Sequence, residues 1–162
     1  MNAIAISYSV VIRTLGDTGE KYRQLLNSIQ NQTIQPDEII VVIPEGYELQ
    51  DKLGNERVVY APKGMVSQRF VGIEAAKSDC ILVVDDDVCF NSNMIEELHS
   101  YMILHNLDCV LPMEGKSDAN TPFQLYVSMK TRIRGAITGQ LFTSKRKSDF
   151  LDTITITGGH KI

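Results

Sequence analysis

Apolar and polar positions along this chain alternate in two rhythms, one of two residues and one of three to four, and each change of rhythm marks a change of element. Residues 8–14, Tyr-Ser-Val-Val-Ile-Arg-Thr, are rich in β-branched side chains and predict a strand. Asp17 and Glu20 have capping-box spacing and open a helix, in which Tyr22, Leu25, Leu26 and Ile29 make one apolar stripe. Residues 38–43, Glu-Ile-Ile-Val-Val-Ile, read as a strand buried on both faces and stopped by Pro44 and Gly46. A short strand at 57–60 leads to a turn at Pro62-Lys63-Gly64. The helix that follows carries Val66, Phe70 and Ile73 at helical spacing and ends near Ala76. Then come four apolar residues, Ile81-Leu82-Val83-Val84, running straight into Asp85-Asp86-Asp87. Asn91 or Ser92 caps a helix through about His105 with Ile95, Leu98 and Met102 on one face, and 107–113 is a further strand.

Strands alternating with helices at this spacing predict an α/β domain with a mainly parallel central sheet and right-handed crossovers. Past residue 113 the rhythm weakens. Residues 114–122 read as a polar loop, 123–135 as helix or edge strand, and 137–143 and 152–157 as strands before the close at Gly158-Gly159-His160. No repeat, linker or low-complexity tract divides the chain, so 1–162 is read as one domain.

Composition narrows the function classes. A chain of 162 residues, 43% hydrophobic and 22% charged, suits a soluble globular domain. A net charge of −4 gives no broad footprint for nucleic acid. No stretch has the length of a membrane span and no secretory signal opens the chain, so the cytoplasm is the expected compartment. Cys80, Cys89 and Cys109 lack metal-type spacing and are expected to be reduced and mostly buried.

The acids carry the chemistry. A buried strand that ends in three carboxylates places them at its carboxyl end, where open α/β sheets bind ligands. Crowded carboxylates repel one another unless they meet water, basic partners or a cation. The simplest alternative is a solvated turn in which acids merely end the strand. A divalent cation is the sharper reading, because Mg²⁺ and Mn²⁺ take hard oxygen ligands, usually one or two carboxylates completed by phosphate and water.

An ordered series of segments resembles family 2 glycosyltransferases: SVVIRT at 9–14, LLNSIQNQT at 25–33, PDEIIVVI at 36–43, KGMVSQRFVGIEAAKSD at 63–79 and ILVVDDDV at 81–88. The resemblance implies a three-layer α/β/α GT-A domain that binds a nucleotide-diphospho-sugar. It divides the chain into a nucleotide-sugar-binding part, 1–113, and the start of an acceptor-side part, 114–162, with the full acceptor half expected to be missing. It also implies Mn²⁺ or Mg²⁺ on the diphosphate, held first by Asp87 and Asp85, with Asp86 binding metal or ribose. Arg69 is placed near the nucleotide, where a guanidinium pairs with phosphate or a base edge; its plain reading is a surface ion pair. Thr14 matches a nucleotide-contacting position or simply ends a strand, and Arg13 is either a phosphate neighbour or a surface charge. Lys63 and Gly64 form a turn that approaches phosphate or is only solvated.

Two departures stand out. Where many members carry a base-recognising acid after the second strand, this chain has Val42-Ile43-Pro44-Glu45, and Glu45 is the substitute candidate. No Glu-Asp pair follows Asp87, and the isolated acids Asp118, Asp149 and Asp152 read as loop or cap residues, so no catalytic base is named. His160, His99 and His105 read as terminal or surface histidines, and Lys145-Arg146-Lys147 as a solvated basic run that could also meet an anionic acceptor or a membrane surface. The expected function is therefore divalent-cation-dependent, inverting transfer of a sugar from a nucleotide-diphospho-sugar to a hydroxyl of a saccharide or lipid-linked acceptor, in polysaccharide or glycolipid synthesis, with peripheral membrane association compatible. The alternatives are a non-catalytic nucleotide-sugar-binding module and, from a related fold, a sugar nucleotidyltransferase. The latter lacks support in the Gly-rich, Arg-containing loop such enzymes use.

Overall fold

The computed structural model describes residues 6–17, 19–110 and the backbone of 141–144. The predicted elements at 114–135 and 152–157, Asp118, Asp149, Asp152, the basic run at 145–147 and His160 lie outside these residues. Among the described residues, six strands and three helices follow one another as β1 (Tyr8–Arg13), α1 (Glu20–Gln30), β2 (Glu38–Pro44), β3 (Glu56–Ala61), α2 (Met65–Ala75), β4 (Cys80–Asp85), α3 (Met94–Leu104), β5 (Cys109–Val110) and β6 (Leu141–Ser144).

The sheet order is β3-β2-β1-β4-β6-β5. Strands β1 to β4 pair parallel, while β6 runs antiparallel to both β4 and β5. The chain thus starts in the middle of the sheet, winds outward through β2 and β3, and returns to lay β4 on the other side of β1. That reversal opens a crevice at the carboxyl ends of β1 and β4.

The apolar runs are buried on both faces because successive side chains go to opposite layers. Val10, Ile12, Ile39, Val41, Ile43, Leu82 and Val84 face a layer containing Tyr22, Leu25, Leu26 and Ile29 of α1 and Ile95, Leu98 and Met102 of α3. Val11, Ile40, Val42, Ile81 and Val83 face Ile73 of α2 and Ala76. Each fully buried Val, Leu or Ile stabilises by roughly 1.5–3 kcal/mol, so this alternation is what holds the three layers together.

Several local expectations need correction. Helix α1 starts with Gly19 as its cap, without a side-chain cap bond, so Asp17 and Glu20 do not form a capping box. The cap of α3 is Asn93, not Asn91 or Ser92, and its amide reaches forward to Glu97 Oε1 instead of the backbone. Pro44 is the last residue of β2, paired with Ala61, where its missing N–H costs nothing at a strand end. No helix joins β2 to β3. The segment 45–55 instead crosses the α1 side of the sheet, burying Leu49. It runs so close to the β1–α1 loop that a Cβ on Gly16, which has φ +86°, would sit 2.3 Å from the Glu48 carbonyl oxygen. Cys80, Cys89 and Cys109 form no disulfide, but only Cys109 is buried, Cys80 being half-buried and Cys89 exposed.

The largest correction concerns α2. Its buried residues are Gln68, Arg69, Gly72 and Ile73, whereas Val66 and Phe70 are 60% and 45% exposed. Of the predicted stripe only Ile73 packs inward. Gly72 explains the choice: a Cβ there would lie 2.3 Å from Val11 Cγ1 and 2.8 Å from Val42 Cγ2, so the helix backbone sits directly on the sheet. This brings the residues one turn earlier, Gln68 and Arg69, to the carboxyl ends of the strands.

Candidate functional site

Strand register puts the first site residues side by side. Arg13, the last residue of β1, pairs with Asp85, the last of β4. Arg13 Nε donates to Asp85 Oδ1 at 2.8 Å. From α2, Arg69 Nη2 donates to both Asp85 oxygens at 3.0 Å. Arg69 is only 8% exposed, and its Nε–H meets no partner among the described residues. One carboxylate therefore holds two guanidiniums, and the trio carries a net single positive charge at the crevice. Such charge-assisted bonds are stronger than neutral ones and fix the planes of the guanidinium groups.

Asp86 belongs to a second arrangement. The buried Thr14 donates its hydroxyl proton to Asp86 Oδ2 at 2.5 Å, and the same Oγ1 accepts the Gly16 N–H at 3.1 Å. Asp87 is exposed and makes no hydrogen bond or ion pair with any described residue. The three neighbouring acids thus differ sharply: Asp85 accepts from two arginines, Asp86 is held by Thr14, and Asp87 is exposed with no partner among the described residues.

Among the described residues no three His, Cys, Asp or Glu side chains converge on a point that could hold a metal. The donor set nevertheless fits Mg²⁺ or Mn²⁺, which take one or two carboxylates and leave further positions to water and phosphate. Asp87 has both oxygens unengaged among the described residues, whereas Asp85 already accepts three arginine hydrogen bonds, one of them on Oδ2, which keeps a lone pair.

The remaining candidates lie on the β2–β3 side. Lys63 Nζ donates to Tyr47 Oη at 2.6 Å and lies 5.0 Å from the centroid of that ring. Glu45 is exposed; its N–H donates to the Ala61 carbonyl, and its carboxylate bonds to no described residue. Gly64 precedes α2, and its carbonyl accepts the Gln68 N–H. The geometry therefore brings Arg13, Thr14, Arg69, Asp85 and Asp86 together and places Glu45, Lys63 and Gly64 on neighbouring strand-end loops.

Sequence reasoning missed Gln68. Its side chain is 1% exposed, and Nε2 donates to the carbonyls of Thr14 at 2.9 Å and Val42 at 3.0 Å. The available signal was Gly72, a glycine in mid-helix that marks a close backbone approach and hence the buried face.

This arrangement can be set beside known proteins. The sequence profile described as "Glycosyl transferase family 2" matches residues 9–158. The chain belongs to that family. Among solved structures, S. aureus TarS 1-349 superposes with a TM-score of 0.54 at 22% identity, covering 72% of this chain and 38% of that one. The same TarS segment in complex with UDP-GlcNAc gives a TM-score of 0.54 at 20% identity, over 72% of this chain and 37% of the other. Its complex with UDP gives 0.53 at 21% identity, over 72% and 38%. At these identities the likeness is one of fold, and it places the family 2 chain in the three-layer GT-A class. The chain spans less than two-fifths of the length of those TarS chains. No curated protein sequence matches it. Among the described residues no helix is long and apolar enough to cross a membrane.

Proposed function

We propose that this family 2 glycosyltransferase domain binds a nucleotide-diphospho-sugar with Mn²⁺ or Mg²⁺ at the carboxyl ends of β1 and β4, and that the whole protein transfers the sugar to an acceptor hydroxyl with inversion. One observation carries the reading: a positively charged Arg13–Asp85–Arg69 trio stands beside Asp86 and an unengaged Asp87 at the point where the strand order reverses. A diphosphate needs both positive charge and, through its cation, a free carboxylate.

In this reading Asp87 holds the cation, with Asp86 as its neighbour at the same strand end. Asp85 keeps Arg13 and Arg69 in place and, through the remaining lone pair of Oδ2, is the second carboxylate for the cation. The cation, when bound, stabilises the charge that builds on the nucleoside diphosphate as it leaves. Thr14 and the 16–17 turn border the nucleoside, with Glu45, Lys63 and Gly64 on the side of the base or phosphates. UDP-sugars are the first donors to try, because the TarS segment of similar fold is a UDP-GlcNAc complex. A saccharide or lipid-linked acceptor, polysaccharide or glycolipid synthesis and a cytoplasmic site of action complete the proposal.

Thermal unfolding with a panel of nucleotide sugars, with and without Mn²⁺, tests it. At a free ligand concentration 100-fold above Kd the expected stabilisation is about 2.7 kcal/mol, present only with the metal. A flat response to every donor refutes the reading. A binding-only module is the second reading. Mass spectrometry of products with a panel of sugar acceptors separates the two: the module binds donor and forms none.

A further inference from the structure

We propose that Gln68 is a positioning residue for the donor site, acting through Thr14 on Asp86; the inference rests on the donor-binding reading above. The side chain is sealed from solvent at 1% exposure, so it does not touch a ligand itself. Its two partners, the Thr14 and Val42 carbonyl oxygens, only accept hydrogen bonds, which fixes the amide nitrogen toward them and engages both of its hydrogens. The Val42 carbonyl also accepts the Thr14 N–H at 3.2 Å.

These carbonyls sit where β1 and β2 reach their carboxyl ends and the regular ladder runs out. The Val42 carbonyl already has the Thr14 N–H, so the Thr14 carbonyl is the acceptor that the ladder leaves without a backbone donor among the described residues, and Gln68 supplies it while adding a second donor to Val42. Thr14 is consequently fixed at both its N–H and its carbonyl. Only its hydroxyl remains to make outward contacts, accepting the Gly16 N–H and donating to Asp86. The next helix residue, Arg69, holds Asp85 directly. Two consecutive residues of α2 thereby set two consecutive acids of the site, one directly and one through Thr14. Gly72 makes this reach available by letting the helix rest on Val11 and Val42.

The test compares wild type with Gln68→Leu, Gln68→Glu, Thr14→Val and the Gln68→Leu/Thr14→Val pair, using UDP with Mn²⁺ as the calorimetric probe. Gln68→Leu keeps the volume and removes both donors, and its UDP affinity is expected to fall roughly 10- to 100-fold, as when groups behind a metal site are removed. The double variant is expected to lose no more than the weaker-binding single variant, because both act along one line of contact. In Gln68→Glu a carboxylate faces two carbonyls, so its deficit relative to wild type should shrink as the pH is lowered and the acid becomes an O–H donor. Gln68→Leu should show no such recovery. A packing-only role predicts a lower Tm with unchanged UDP affinity and additive losses in the pair, and either result overturns the proposal. If Gln68→Leu does not fold, the pH series of Gln68→Glu decides alone: a deficit constant with pH overturns it. Should wild type bind no UDP, uridine is not its base and the donor panel above decides the proposed function, while amide hydrogen exchange at Thr14 and Gly16 becomes the readout here. Protection there unchanged in Gln68→Glu at neutral pH overturns the tie itself.

Discussion

At the residue scale, the three consecutive acids show how identical side chains acquire different work from their neighbours. The sequence makes the cluster visible, since a buried strand ending in acids is a local pattern. It does not rank the acids, because rank depends on Arg13, 72 residues from Asp85 in sequence, and on Arg69, which shares the inward face of α2 with Ile73. Asp85→Asn should remove a charge that two guanidiniums share. Hydrogen bonds to charged groups contribute about 1.5–3 kcal/mol each, so a loss on the order of 2 kcal/mol in urea unfolding is expected. Asp87→Asn removes an exposed, unengaged charge and should change stability by no more than about 0.5 kcal/mol. In UDP binding the expectation differs in kind: Asp87→Asn loses the Mn²⁺-dependent part of the affinity and keeps whatever remains in EDTA. Equal stability losses in the two variants would contradict the division of roles, and so would undiminished Mn²⁺-dependent binding by Asp87→Asn.

At the scale of the element, α1, α3 and the strands were legible because their buried faces are apolar, and Tyr22, Leu25, Leu26, Ile29, Ile95, Leu98 and Met102 are all buried. Helix α2 was not, because its inward face is partly polar and includes a glycine. Hydrophobic periodicity finds a face that packs by apolar contact; a face that packs by close approach and by hydrogen bonds to strand ends has no such signature. The difference predicts opposite tolerances on one helix. Val66 and Phe70 are 60% and 45% exposed, so Val66→Gln should shift the unfolding free energy by about 0.5 kcal/mol or less and Phe70→Gln, which gives up a half-covered ring, by about 1 kcal/mol or less. Gly72→Ala puts a methyl group into Val11 and Val42, and overpacking of this kind costs roughly 1–3 kcal/mol. Because the helix must lift to make room, Gly72→Ala should also weaken UDP binding through displaced Gln68 and Arg69. Urea titrations of the three variants check the first part and calorimetry the second; a Phe70→Gln loss exceeding that of Gly72→Ala would restore the apolar stripe as the packing face.

Across the whole molecule the two ends of the sheet divide the labour. The alternating pattern announced a parallel sheet, but the polar network at its amino end joins residues too far apart in sequence to form a motif. There Asp37 accepts from Ser7 at 2.6 Å and Ser78 at 3.0 Å. Glu38 accepts from the Lys77 N–H at 2.6 Å, from Arg57 at 2.8 Å and from Ser9 at 2.8 Å, tying β1, β2, β3 and the turn before β4. Burial by itself would raise the Glu38 pKa, but the Lys77 N–H, the Arg57 guanidinium and the Ser9 hydroxyl outweigh it and hold the carboxyl below the ordinary 4.5. On acidification the unfolded chain takes up this proton first, so the folded state gains from Glu38 fully above pH 4.5 and loses that gain as the pH falls through the depressed folded value. Glu38→Gln should lower stability at neutral pH and flatten the decline below pH 4.5, as followed by urea unfolding between pH 7 and pH 3. UDP affinity at neutral pH should stay at the wild-type value, because the substitution lies at the opposite end of β2 from the donor crevice. Parallel acid curves for the two proteins would show that Glu38 is not the group that titrates, and a fall in UDP affinity would show that the two ends of the sheet are coupled.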